Sequence, residues 1–158
     1  MNTNKPERHT ISASAIIPAR RDRVYSLLAN YTDGHQRILP KQFTGLTVEE
    51  GGVGAGTIIR VQMSFLGKKQ HYRAAISEPE PGRVLVETNL EANSWVTTFT
   101  VNPGSAPADS NVTISTELPV RAGFPGKIER LLSTLFLRPI YVKELENLAR
   151  VATGPFGA

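Results

Sequence analysis

Between residues 43 and 120 the chain runs through six stretches of period-two alternation, with no helical pattern between them. Parallel strands need a crossover of a dozen or more residues, usually a helix, so six strands in direct succession predict antiparallel hairpins. The stretches are 43–50, 57–66, 69–77, 83–90, 94–102 and 111–120. In 57–66, Ile59, Val61, Met63 and Phe65 share one face, while Arg60, Gln62 and Ser64 share the other. Tyr72, Ala74 and Ile76 align in the next stretch, Trp95, Thr97, Phe99 and Val101 in the fifth, and Val112, Ile114, Thr116 and Leu118 in the last. Turn chemistry separates them: glycines at 51, 52, 54 and 56, Gly67-Lys68, Pro79 with Pro81 and Gly82, Ala92-Asn93, and a polar loop over 103–110.

Different patterns flank this block. A seventh strand is expected over 9–17, where Ile11, Ala13, Ala15 and Ile17 alternate, and Pro18 ends it. A helix follows over 19–31, with Val24, Leu27, Leu28 and Tyr31 on one face, broken at Asp33-Gly34 before a short helical turn over 35–39. After 123–126 a long helix runs through Ala152. Its apolar side is read as Ile128, Leu131, Leu132, Leu135, Val142, Leu145, Leu148 and Ala149, with Lys127, Glu129, Arg130, Lys143, Glu144, Glu146, Asn147 and Arg150 opposite. It would span about 35–40 Å. Pro139, in mid-helix, removes a backbone donor and predicts a kink. Residues 9–152 are expected to form one α+β domain, a curved sheet closed by the long helix, with 1–8 and 153–158 as tails.

The 158 residues suffice to bury a core without a metal or disulfide staple. There is no cysteine, which excludes disulfides, thiolate nucleophiles and cysteine zinc sites. The net charge is +4, but the basic residues are dispersed and not interleaved with aromatics, so no nucleic-acid partner is expected. No stretch is apolar for the ~18 residues a span needs, so no membrane insertion is expected. Residues 1–10 are polar and do not read as a secretory signal, which points to a cytoplasmic protein.

Several local features resemble the SRPBCC superfamily, which includes START domains, polyketide cyclase/dehydrase-like proteins and the birch-pollen allergen family. Ile17-Pro18-Ala19 with Val24, Leu27, Leu28 and Tyr31 is similar to its strand-end "I-x-A-P" element and first helix, with Pro and Ala exchanged. Gly54-Ala55-Gly56-Thr57 resembles the "G-x-G" before the third strand, and residues 78–85, reading EPEPGRVL, resemble the turn before the fifth. The resemblance covers roughly His9 to Ala152. It implies the helix-grip fold and a cavity between sheet and helix, but no particular reaction.

Such a cavity is concave and mostly apolar. Its expected lining is Ile59, Val61, Met63, Phe65, Tyr72, Trp95, Phe99 and Val101 from the sheet, faced by Leu131, Leu135 and Val142 from the helix. Tyr72, Tyr141 and Trp95 would offer polar tips to orient a ligand. Arg60, Gln62, Arg73 and Glu87 fall on the opposite, solvated face unless a bulge turns them inward. Of His9, His35 and His71, none sits in a metal-binding pattern; His35 is the one placed near the cavity mouth to act as a base, though a surface position is expected for it. The serines lack a nucleophile elbow, and the glycines at 51–56 match no nucleotide loop, so neither cofactor nor metal is expected.

Three function classes follow. A carrier of a hydrophobic small molecule (lipid, quinone or polyketide-like) fits a greasy cavity best. A cyclase, aromatase or dehydratase would need acid and base groups pointing inward: His35, Glu87, Arg60 or Arg73 in the cavity would favour it. A protein-interaction module would show a collapsed cavity beside a large exposed apolar patch.

Overall fold

The structure, a computed structural model, describes residues 6–65, 67–91 and 95–155, and of Phe65 the backbone alone. The elements are β1 (Glu7–Ile17), α1 (Arg21–Ala29), α2 (Gly34–Ile38), β2 (Phe43–Glu50), β3 (Ile58–Phe65), β4 (Lys68–Glu80), β5 (Val84–Asn89), β6 (Val96–Pro103), β7 (Ser110–Val120) and α3 (Gly123–Thr153). The strands form one antiparallel sheet in the order β1-β7-β6-β5-β4-β3-β2. Consecutive hairpins thus build the sheet from β2 to β7, and β1 closes its far side by pairing along β7 from Glu7↔Val120 to Ile17↔Ser110. That ladder takes in Glu7 and Arg8, two residues more than the alternation suggests.

Alternation decides which face is covered. In β7, Ser110, Val112, Ile114 and Thr116 are buried, and in β6 Thr97, Phe99 and Val101 are. Ile11, Ile17, Leu85, Phe99, Val101, Val112 and Ile114 meet Val24, Leu28, Tyr31 and Ile38 from the short helices and Leu145 and Leu148 from α3. One expected turn lies later than its prolines suggest. β4 continues through Pro79 to Glu80, because the β4–β5 register slips between Ser77 and Glu80. A proline without a donor is tolerated where the ladder is already interrupted.

α3 divides into two halves. From Ile140 onward Tyr141, Glu144, Leu145, Leu148, Val151 and Ala152 are buried. Nearer its start, the side turned to the sheet is polar. Thr134 Oγ1 meets His9 Nε2 at 2.8 Å, Arg130 binds Glu7, and Arg121 binds Glu129. Leu131 and Leu135 therefore point outward, 59% and 64% exposed, and Val142 joins them. The expectation that these three face the sheet is corrected here. The apolar positions of the helix form two stripes, since the thirteen residues from Leu135 to Leu148 end roughly 140° away from whole turns.

Candidate functional site

Two spaces open on the covered side of the sheet. The inner one, about 120 Å³, is lined by His35, Leu39 and Phe43 from the α2 region, Met63, Glu87, Trp95, Thr97 and Phe99, Thr116 and Leu118 from the sheet, and Leu137, Tyr141 and Glu144 from α3. The outer is a groove of about 1020 Å³, bordered by Gln70, His71, Tyr72, Asn89, Arg121 and Glu129 among others. Met63, Trp95 and Leu118 line both and so form the boundary between them. Trp95 packs edge-to-face on Tyr72, ring centres 4.8 Å apart.

His35 reaches the inner space through a chain of local contacts. Asn30 Oδ1 accepts from the Thr32 and Asp33 amides and the Thr32 hydroxyl, which turns the chain out of α1, and the His35 amide then donates to Asn30 O at 2.8 Å. At Gly34 a Cβ would lie 2.7 Å from Leu27 O, so only glycine lets α2 seat this tightly on α1. The His35 ring stacks on Tyr31 at 4.4 Å and meets Phe99 edge-on at 5.5 Å. Its Nδ1 lies 2.8 Å from Leu28 O. A carbonyl only accepts, so Nδ1 carries a proton and Nε2 is the nitrogen left to face the cavity.

That Nε2 faces two carboxyl groups, Glu87 Oε1 at 3.5 Å and Glu144 Oε1 at 4.0 Å. The Tyr31 hydroxyl donates to Glu87 Oε1 at 2.7 Å. Burial, with the Glu87 charge beside it, pushes the Glu144 carboxyl well above the usual range. Burial therefore favours the protonated form of the Glu144 carboxyl. On the same face of α3 Tyr141 hydrogen-bonds Thr116, which bonds Thr97 at 2.7 Å, and burial raises the Tyr141 phenol far above its ordinary value. Asn147 Nδ2 donates to Ile38 O at 3.0 Å and fixes α3 to the end of α2. Among the described residues, no three His, Asp or Glu side chains are placed to hold a metal ion.

The structure brings Met63, Trp95, Phe99 and Tyr141 to the inner cavity and Tyr72 to the outer groove. Ile59, Val61 and Val101 are buried but line neither space. The Phe65 side chain lies outside the described residues. Arg60 and Arg73 do stay on the outer face, both paired to Glu49.

Three chemistry-bearing residues sit where the sequence did not put them. His35, expected at the surface, is 2% exposed. Glu87, expected on the solvated face, pairs across the ladder with Ile76 and Thr97 and so points inward. Val84 and Val86 make the other parity of β5 apolar too, so alternation within the strand does not mark its inner face; pairing 83–90 against 94–102 does. Glu144, assigned to the polar side of α3, is 4% exposed. Ile140, Tyr141 and Leu148, three or four residues away, are the signal that it shares their face.

The sequence matches the family described as polyketide cyclase / dehydrase and lipid transport over residues 8–153. The chain belongs to this family. It is a helix-grip protein of the SRPBCC superfamily. Among solved structures, KanY is 25% identical with a TM-score of 0.81, covering 94% of this chain and 99% of that one. The Zhui aromatase/cyclase of Streptomyces sp. R1128 is 15% identical with a TM-score of 0.75, covering 92% and 94%. Norcoclaurine synthase of Thalictrum flavum, in complex with dopamine and hydroxybenzaldehyde, is 15% identical with a TM-score of 0.70, covering 92% and 87%. Both of these last likenesses are of fold. No curated protein matches the chain.

Proposed function

We propose that this protein binds a ring-bearing, largely apolar carbonyl compound and moves protons on it, the chemistry a polyketide-type cyclase or dehydratase requires. The carrying observation is a Glu144 carboxyl whose protonated form burial favours, 4.0 Å from His35 Nε2, both lining one mostly apolar cavity. A carbonyl oxygen and its α-carbon lie ~2.4 Å apart by their bond lengths, so acid and base can address the two atoms together. Glu144 gives its proton to the carbonyl oxygen while His35 Nε2 takes one from the α-carbon, which yields the enol. The reverse transfers restore both groups, and no outside reagent is consumed. Glu87 stabilises the imidazolium formed on the way, held for that task by Tyr31. The ligand's rings would contact Met63, Tyr72, Trp95, Phe99 and Tyr141. Family membership supports the substrate class, as do the neighbours whose names speak of an aromatase/cyclase and of an aromatic aldehyde complex.

A second reading, a carrier for the same class of compound, is favoured by the size of the outer groove and by the predominantly apolar inner lining. Deuterium exchange at the carbon next to the carbonyl of α-tetralone, followed by NMR in D₂O, separates the two. The enzyme reading predicts exchange well above buffer, reduced about a hundredfold in His35→Ala and strongly in Glu144→Gln. Quenching of Trp95, the sole tryptophan, without exchange would leave a carrier. Neither quenching nor exchange with tetralone, quinones and polyphenols would contradict both.

A further inference from the structure

The first half of α3 carries its apolar side chains on the side away from the sheet. Phe124, Ile128, Leu131, Leu132, Leu135 and Val142 recur at three- and four-residue spacing and are all exposed, Phe124 to 73%. Helices in water turn such a stripe inward, and a continuous outward stripe marks an interaction surface. Its borders are basic. Lys127 and Arg138 flank one side and form no ion pair among the described residues, and Lys143 flanks the other. Carboxylates avoid this face: Glu129 is turned away and held by Arg121, Glu144 is buried, and Glu146 enters only one turn beyond Val142.

We propose that this face docks the protein on an anionic phospholipid surface, with the apolar stripe in the headgroup boundary and the lysine and arginine borders on lipid phosphates. Charge complementarity selects this occupant. A second copy laid along the same stripe would set one basic border against another, with Glu146, already paired to Lys143, the nearest carboxylate to offset the repulsion. Among the described residues no helix is long and apolar enough to cross a membrane, so in this proposal the element lies on the surface and does not span it. The same helix lines the outer groove with Glu129 and Ser133 and the inner cavity with Leu137. The proposal stands apart from the acid–base reading, because it concerns the outside of α3.

Co-sedimentation with vesicles of phosphatidylcholine, with and without about 30% phosphatidylglycerol, tests it. Wild type is expected to bind the anionic vesicles about tenfold or more tightly, less so as salt is raised, since each cation near such a surface adds about fivefold. Leu131→Ser/Leu135→Ser should weaken that binding about tenfold without lowering the melting temperature, both positions being exposed. Lys127→Glu/Arg138→Glu should remove the preference for anionic lipid, and Glu144→Gln should bind vesicles as wild type does. Binding that ignores both surface variants, or no vesicle binding at all, would overturn the proposal. So would a wild-type dimer in light scattering that Leu131→Ser/Leu135→Ser does not form, which would assign the face to a second copy.

Discussion

Glu144 is an isolated carboxyl between Tyr141 and Leu148, turned toward His35 and Glu87, and its environment has a measurable cost. The folded chain holds this proton more tightly than the unfolded chain, whose glutamates titrate near about 4.3. The stability it contributes is whole below that value and is lost as pH rises through the raised folded-state value. Glu144→Gln keeps the shape without the charge. It should melt with wild type at about pH 4 and above it in alkaline buffer, by about 2–4 °C for each kcal/mol recovered. Equal melting across the range would show an ordinary carboxyl. Tyr31 supplies a second check. Tyr31→Phe removes the phenolic donor to Glu87 and should cost about 1–3 kcal/mol in urea unfolding, the range for leaving a buried acceptor without its partner.

At the level of elements, the two halves of α3 should respond differently to truncation. Leu148→Ala opens a hole in the core and should cost about 2–5 kcal/mol, whereas Leu131→Ala should stay within about 0.5 kcal/mol. Equal costs would mean that the stripe is covered after all. Gly34→Ala drives a methyl against Leu27 O and should displace α2, and His35 with it, weakening ligand binding as well as stability. The strand succession was legible because alternation and turn residues are local, and β2 begins and ends where its pattern does. Burial on α3 was not legible, since an apolar helical position says only that a stripe exists. Which stripe the sheet covers depends on polar contacts such as Thr134 to His9, made across the whole chain. Glu87 was missed for a related reason: β5 is apolar on both parities, and only its partner strands decide between them.

For the molecule as a whole, sheet, short helices and α3 converge on one lined space whose His35, Glu87 and Glu144 come from three separate elements. A ligand that fills it should stabilise the fold by mass action. At about a hundred times its dissociation constant the gain is about 2.7 kcal/mol, or roughly 5–10 °C in melting temperature, with Trp95 fluorescence shifting in parallel. Melting unchanged by a ligand that quenches Trp95 would place that ligand on the unfolded chain or on a surface site. The account depends on a carboxylic acid kept protonated inside this space. The most direct measurement is a ¹³C NMR titration of carboxyl-labelled glutamate, with the Glu144 signal assigned by its loss in Glu144→Gln. A signal that holds its protonated position through neutral pH and moves only above it is the predicted result. A Glu144 signal that titrates with the surface glutamates, near about 4.3, would contradict the account at its centre.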